Sequence, residues 1–475
     1  MLVRQIFDER LAQFAYFVGC PATGEAAVID PERDVDRYFA LAERNGLKLV
    51  AAMDTHIHAD YLSGMRELAE AGVKVYASDE GPVDWKYEWL LGSTYRYQLV
   101  RHGDRFLVGN IEFEVIHTPG HTPEHIAFLI RDTGSGAADP IAVATGDFVF
   151  VADMGRPDLL ETAAGVKGTM EPGARALYRS IHAFRQLPEF LQVWPGHGAG
   201  SACGKALGDV PLTTVGYELR NNAAIQAATS EQEFVTFILS GQPEPPPYFA
   251  RMKRDNKLGP ALLHGVPHPP RLDADALATI AGRQEVVVLD TRPREEFLEG
   301  HLPASLLAEL DYQFPTIAGS YVEEGAPIYL VADGERVDEA VRSLIRIGLD
   351  GIRGYVTPAT LDEYAAGGGR LSQTETIDMV ELERRRLGGG VTILDVRGSA
   401  EYAVHHVPGA LNIAHTRLLV RLGEVPADRP VIVHCNSGGR SAAAAALLER
   451  HGYQVSDVDD LVANYRPGVL TAVPA

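Results

Sequence analysis

Cysteine is nearly absent from this chain. Three occur in 475 residues (Cys20, Cys203 and Cys435). That is too few for a disulfide framework, so a reducing cytoplasm is the expected location. Basic charge is also scarce: 43 Lys and Arg face 64 Asp and Glu, a formal charge of −21. Neither nucleic acid nor an anionic membrane is expected as a partner, because binding phosphate takes a basic surface. No apolar run approaches the roughly 18 residues that span a bilayer. The N-terminal MLVRQIFDERLAQFAYFVG lacks the charged, apolar and small-residue segments of a secretory signal. Core-forming material is ample, with 46% hydrophobic residues, and the length suits about three domains of about 150 residues.

The most informative stretch is Thr55 to Gly64, THIHADYLSG. It follows an apolar run, Leu49 to Met53, that reads as a buried strand, and a helical pattern is expected over Tyr61–Ala71. Alternation along an extended segment lets His56, His58 and Asp60 converge on one side. Strand carboxyl ends are where α/β proteins place their chemistry. A polar loop of solvated histidines is the competing reading.

Upstream, Phe14–Val18 and Ala26–Ile29 read as a hairpin pair, and Val35–Glu43 as a helix. Downstream the same pattern recurs. His117-Thr-Pro-Gly-His121-Thr-Pro-Glu-His125 follows an alternating strand at Ile111–Ile116. The strand Ile141–Thr145 runs into Gly146-Asp147-Phe148, and Leu191–Trp194 ends in Pro195-Gly196-His197-Gly198. Four strand ends thus offer His or Asp (His56, His121, Asp147, His197), as one metal site assembled from loops would require.

THIHADY, HTPGHT, TGDFVF and PGHG, in that order, resemble the metal loops of the metallo-β-lactamase superfamily. The resemblance covers residues 1–259 and implies an αββα sandwich with metal at one edge of two facing sheets. The family's usual first motif ends in a second-metal His where this chain has Tyr61. Asp60 and His197 alone hold a second ion poorly, so one ion on His56, His121 and Asp147 is expected. Two imidazoles and a carboxylate with open positions suit non-heme Fe(II), one per chain. A zinc hydrolase site is the competing chemistry. His58, Asp60, Tyr61 and His197 then become outer groups that orient ligands or substrate, while His117 and His125 are expected to pack.

Two roles are open for Arg156: a bidentate clamp on a substrate carboxylate or a structural ion pair. Cys203, in GHGAGSACGK, is either an inert buried thiol or a thiolate beside the metal, favoured by Lys205; Cys20 reads as core. Gly241–Tyr248 (GQPEPPPY) reads as a boundary. The basic cluster after it, with Arg251 and Lys253, either returns to the metal cleft to bind an anionic thiol or is a solvated linker face. Pro267–Pro270 marks the exit.

From there the chain repeats itself. Val286–Arg292 (VVVLDTR) recurs as Val391–Arg397 (VTILDVR), and Glu296…His301-Leu-Pro as Glu401…His406-Val-Pro, both at an offset of 105 residues. Such β–loop–α alternation implies two α/β domains with parallel sheets, over residues 270–370 and 375–475. In the second copy the strand Val431–His434 delivers Cys435-Asn436-Ser437-Gly438-Gly439-Arg440-Ser441 to the start of an alanine-rich helix. Backbone N–H groups, the helix dipole and Arg440 favour thiolate there and make Cys435 a nucleophile. The first copy carries no cysteine and cannot do this chemistry.

This repeat resembles the rhodanese family, the middle copy in degenerate form. The resemblance implies sulfur transfer through a persulfide on Cys435, cradled by Asn436, Ser437, Gly438, Gly439 and Ser441. Together the two resemblances are similar to the persulfide dioxygenase–rhodanese fusions of bacterial sulfide detoxification. Those imply oxidation of a low-molecular-weight thiol persulfide by O2 to sulfite, then formation of thiosulfate. Self-association is expected of such fusions. The alternatives are a zinc-dependent glyoxalase II-type thioester hydrolase and a sulfur carrier or sensor without turnover.

Overall fold

A computed structural model describes residues 1–163, 165 and 167–466; the last part of the expected 375–475 domain lies outside them. The chain divides into two compact units. One comprises Met1–Val266 with Ile345–Gly348, and the other runs from Pro267 onward without that short piece.

In the first unit, six strands form one sheet in chain order: β1 (Leu2–Asp8), β2 (Gln13–Cys20), β3 (Glu25–Ile29), β4 (Lys48–Met53), β5 (Lys74–Ser78) and β6 (Tyr97–Val100). The first three run antiparallel and the rest parallel. A second sheet holds β7 (Arg105–Val108), β8 (Ile111–His117), β9 (Ile126–Asp132), β10 (Ala142–Gly146), β11 (Gln192–Pro195) and β12 (Thr213–Thr214), in the order β12-β11-β10-β9-β8-β7.

Period-two alternation sorts side chains between layers. Along β2, Phe14, Tyr16 and Val18 enter the core shared by both sheets, with Met53, Phe113, Phe128 and Trp194. The intervening Ala15 and Phe17 face outward against Tyr38, Ala42, Met65 and Leu68 of the helices Asp36–Arg44 and Met65–Glu70. The other sheet's outer face packs on the helix Met170–Phe184 through Ala174, Leu177 and Ile181. Each large apolar side chain buried here contributes roughly 1.5–3 kcal/mol. The result is the expected αββα sandwich.

Two local expectations are corrected. The helix foreseen over Tyr61–Ala71 begins only at Met65. Residues 61–64 are an irregular turn, with Ser63 bridged to Glu32 and its N–H donated to Asn256 Oδ1 at 2.8 Å. Gly241–Tyr248 is not a boundary: the basic cluster that follows is a helix, Phe249–Leu258, within the first unit.

The second unit holds two all-parallel sheets. One contains β13 (Val287–Asp290), β14 (Leu306–Leu307), β15 (Ile328–Val331) and β16 (Ile352–Val356), ordered β14-β13-β15-β16. The other contains β17 (Glu375–Ile377), β18 (Thr392–Asp395), β19 (Leu411–Asn412), β20 (Val431–His434) and β21 (Val455–Val458), ordered β17-β21-β20-β18-β19. The repeat extends to single hydrogen bonds. Arg292 Nη2 reaches Asp290 Oδ2 at 2.7 Å and Gly300 O at 2.8 Å. Arg397 Nη2 reaches Asp395 Oδ2 at 2.6 Å and His405 O at 2.8 Å. The Asp-x-Arg signature therefore staples strand to loop in both copies. No helix among the described residues is long and apolar enough to cross a membrane.

Candidate metal centre and cysteine loop

Three buried side chains from three loops meet at the carboxyl ends of β4, β8 and β10: His56, His121 and Asp147, each offering one donor atom within 4.8 Å of the others. Asp147 Oδ2 lies 3.5 Å from His121 Nε2 and 3.9 Å from His56 Nε2. The outer ring nitrogens are already engaged. His56 Nδ1 meets Thr55 Oγ1 at 3.0 Å, and His121 Nδ1 meets Arg156 O at 2.9 Å. Thr55 is itself held by Asp30, through its N–H at 2.7 Å and its hydroxyl at 3.0 Å. Such outer partners turn the free Nε2 of each ring inward. His56 Nε2 and both Asp147 oxygens find no hydrogen-bond partner in good geometry among the described residues. Buried polar atoms left this way cost free energy, and a cation at their focus removes that cost. Burial pushes the Asp147 carboxyl up to about 6, against the pull of His197. Burial and then His58 hold His56 well below the ordinary imidazole range.

Next to this triad lies a second cluster, Asp60, His197 and Cys203, all buried. His197 Nε2 is 3.3 Å from Asp60 Oδ2 and 3.5 Å from Asp147 Oδ1, while its Nδ1 faces Ala12 O at 3.1 Å. Asp60 and His197 are thus not alone, as the sequence suggested. Cys203 supplies the third donor, and Asp147 touches both clusters. Lys205, which would favour a thiolate at Cys203, is engaged elsewhere: its Nζ donates to Phe237 O at 2.7 Å and Ser240 O at 3.1 Å. Burial, then the Asp60 and Asp147 carboxylates, push the Cys203 thiol well above its ordinary value.

His58 and Tyr61 form a separate buried knot. His58 Nε2 lies 3.2 Å from Asp30 Oδ1 and 3.1 Å from the Tyr61 hydroxyl, which also accepts from Gln13 Nε2 at 3.1 Å. Burial lowers the His58 imidazole, but Asp30, Asp54 and Asp60 outweigh it and raise it to about 9. Tyr61, where the family motif has a histidine, faces this knot.

Of the two roles open for Arg156, the structure takes the structural one. The residue is buried, grips Asp158 bidentately at 2.8 and 2.6 Å, and donates to Ala202 O and Pro243 O. It cannot also clamp a substrate. Arg251 donates to Ile347 O at 2.9 Å and is not among the residues lining the cavity described below.

Two contributors carry no sign of this role in the sequence. His125 accepts the Asp147 N–H on Nε2 at 3.1 Å and meets Thr118 Oγ1 through Nδ1 at 2.8 Å, so it does more than pack. Asn256, buried in the helix Phe249–Leu258, donates to His58 O at 2.9 Å and Tyr61 O at 2.7 Å. That helix also supplies Lys253 and Lys257 to a cavity of about 760 Å³, lined as well by Ile57, Trp85, Gly120 and Arg179. Ile57 and Gly120 adjoin His56 and His121 in the chain, so the cavity borders the metal centre. Lys253 Nζ sits 4.2 Å from the centre of the Trp85 ring; burial lowers its ammonium to about 8, with Glu124 pulling the other way. The basic cluster thus lies on a helix that lines this cavity through Lys253, Arg254 and Lys257.

In the second unit, Cys435 is buried at the end of β20 and its Sγ accepts the Gly438 N–H at 3.2 Å. The helix Gly439–Arg450 starts there. Arg440 grips Glu401 at 2.6 and 2.8 Å. That pairing, then the Cys435 sulfur, raises the guanidinium above its ordinary value. Ser441 Oγ donates to Gly438 O at 2.9 Å, bracing the loop. All three cysteines are free and buried.

Comparison with known proteins agrees with both halves. The profile of the metallo-beta-lactamase superfamily matches residues 8–197, and that of the rhodanese-like domain matches residues 378–466. A solved metallo-beta-lactamase from Staphylococcus aureus subsp. aureus COL is 37% identical, over 75% of this chain and 99% of that one, with a TM-score of 0.67. A mitochondrial persulfide dioxygenase ETHE1 of Bos taurus is 28% identical over 42% of this chain and 68% of its own. A hydroxyacylglutathione hydrolase of Gloeobacter violaceus is 35% identical over 37% of this chain and 60% of its own. The chain spans 54% of a beta-lactamase hydrolase-like protein of Agrobacterium fabrum, at 29% identity. On the sandwich, the ordered metal loops and the likeness to nearly the whole of the staphylococcal protein, the chain belongs to the metallo-beta-lactamase superfamily and carries a rhodanese-like domain after the sandwich.

Proposed function

We propose that the protein is a persulfide dioxygenase that also transfers sulfur. In this reading one Fe(II) is held by His56, His121 and Asp147, and the substrate is the persulfide of a low-molecular-weight thiol. The observation that carries it is the donor set: two imidazole nitrogens and one carboxylate, buried, mutually close and largely unpartnered. That set suits a non-heme iron with positions left open. When bound, the iron supplies the redox chemistry with O2 that no side chain here can. Overall, RSSH + O2 + H2O gives RSH, sulfite and two protons.

The chain's own residues do the rest. The cavity bordered by Lys253, Lys257 and Arg179 holds an anionic thiol carrier with its sulfur toward the triad. Holding it there converts a bimolecular encounter into an oriented one. Cys435 then acts as nucleophile. Its thiolate attacks the outer sulfur of a second persulfide; a new S–S bond forms, the old one breaks, and the carrier leaves as RS⁻. Sulfite next attacks the sulfane sulfur on Cys435, thiosulfate departs, and the electron pair returns to Sγ. These are the steps of a sulfide-detoxifying enzyme of the cytoplasm.

A second reading has its own observation. Asp60, His197 and Cys203 adjoin the triad, and Asp147 faces both clusters. That arrangement suits two zinc ions and thioester hydrolysis, in line with the hydroxyacylglutathione hydrolase relative. One experiment separates the readings. Protein loaded anaerobically with iron is given a panel of thiol persulfides while O2 uptake and sulfur products are followed, and metal per chain is counted in protein purified without added metal. One iron with O2 consumption supports the first reading; two zinc ions and acyl-thiol cleavage without O2 uptake support the second.

A further inference from the structure

The Ser437–Gly438 peptide is engaged at both ends. Its N–H donates to Cys435 Sγ at 3.2 Å, and its carbonyl oxygen accepts from Arg294 Nη1 at 3.0 Å. Arg294 does not belong to the copy that carries the cysteine. It opens the helix Arg294–Glu299 in the copy that lacks one. A peptide is planar, with N–H and C=O pointing opposite ways. A guanidinium that fixes the carbonyl outward therefore fixes the N–H toward the sulfur.

The guanidinium is itself anchored. Nη2 lies 2.7 Å from Asp459 Oδ1, and Nε donates to Glu295 at 2.9 Å. Gly438 has φ +99°, and a side chain there would collide with Arg294 Nη1. The two copies are pinned together around this point. Phe297, Leu298 and Leu307 pack on Ala442 and Ala446, and His301 Nε2 lies 3.2 Å from Glu449. Arg450 donates to Ala304 O at 2.6 Å and Gln284 O at 2.7 Å. Ala442 and Ala446 are small enough to let the other copy approach the helix Gly439–Arg450 closely.

We infer that the cysteine-less copy is a working part of the sulfur-transfer site, with Arg294 as a positioning residue that aims the Ser437–Gly438 N–H at the Cys435 sulfur. This rests on the sulfurtransfer reading above. When sulfite takes the sulfane sulfur, the S–S electron pair collects on Sγ, and a pre-aimed N–H stabilises that charge without reorganising.

The test uses the full chain, with thiosulfate as sulfur donor and cyanide as acceptor. Arg294→Met is expected to lower kcat about tenfold while KM for thiosulfate changes less than about threefold. Arg294→Lys, which can still donate to Ser437 O, should recover most of the loss. Asp459→Asn breaks the ion pair between copies but keeps the Ser437 contact, and should retain kcat within about twofold. A wild-type kcat in Arg294→Met overturns the inference, as does an equal loss in Asp459→Asn, which would make Arg294 a docking strut. Hydrogen exchange of the segment Cys435–Arg440 gives a reading free of sulfur chemistry: faster exchange in Arg294→Met supports the role, unchanged exchange refutes it. If the wild type passes no sulfur to cyanide, the sulfurtransfer reading fails, while the exchange comparison still decides what Arg294 does.

Discussion

The backbone N–H of Asp147 is donated to His125 Nε2 at 3.1 Å, so a histidine outside the proposed ligand set holds a ligand in place. Removing its ring leaves that N–H buried and unpaired, a cost of about 1–3 kcal/mol. Groups that orient metal ligands typically matter 10–100-fold in affinity. His125→Ala is therefore expected to fold, to bind iron about tenfold or more weakly, and to lose its metal first in a chelator titration followed by elemental analysis.

Direct ligands should behave differently. His121→Ala and Asp147→Ala each remove one of three donors, and both are expected to abolish iron content and O2 uptake together. An oxygen electrode trace paired with metal analysis on the same sample checks this. Full O2 uptake in metal-free Asp147→Ala would falsify the assignment.

Cys435→Ser separates the two half-reactions. With the nucleophile gone and the first unit untouched, O2 consumption should continue at the wild-type rate while sulfite accumulates in place of thiosulfate. Chromatography of the sulfur products reads the outcome directly. Unchanged thiosulfate output excludes Cys435 as the carrier.

How much of this was legible in the sequence follows from how local each signal is. His56, His121, Asp147 and His197 each sit in a short string just after a buried strand, and Cys435 sits between a strand and a helix, so the residues nearby carry the message. Asn256 closes on His58 and Tyr61 from nearly 200 residues away, and no periodicity marks such a bond. The same holds for Cys203, which turns to Asp60 and His197 rather than to neighbouring Lys205. Arg156 carried a clamp-like signal because bidentate pairing looks alike in sequence whether its partner is substrate or Asp158. The helix start was misplaced by four residues because hydrophobic spacing cannot see that Ser63 is bonded to Asn256. The repeat was plain from its constant offset, but the reach of Arg294 to Ser437 belongs to the packing of the two copies.

Asp457 offers a test of the second unit by pH. It lies buried in β21, neither carboxylate oxygen has a hydrogen-bond partner in good geometry among the described residues, and burial raises it from 3.8 to about 7. Ser441 and Arg294 pull it down and Asp459 pushes it up. Between about pH 4 and pH 7 the unfolded chain has released this proton while the folded chain retains it. Its contribution to stability therefore falls as pH rises through that window and levels off above it. Asp457→Asn removes the titration, so the variant should gain on the wild type by a few kcal/mol across the window. Urea unfolding of both proteins at pH 5, 6, 7 and 8 measures the difference, and parallel curves would rule the account out.

Lys253 tests the substrate side. Its ammonium lines the cavity beside the metal centre and lies over the Trp85 ring, in a chain of net charge −21 that should otherwise repel an anionic thiol. A partly desolvated cation facing a carboxylate or phosphate contributes about 1.5–3 kcal/mol through a charged hydrogen bond. Lys253→Met keeps the aliphatic stem and removes the charge. KM for an anionic thiol persulfide should rise about tenfold or more, with kcat changed less, because the contact is made equally in ground and transition states. An uncharged alkyl persulfide should show no such change. Added salt should raise the wild-type KM toward that of the variant, since screening weakens the same attraction. Equal losses with charged and uncharged carriers would mean that Lys253 supports the fold of the cavity rather than reading the charge of its occupant.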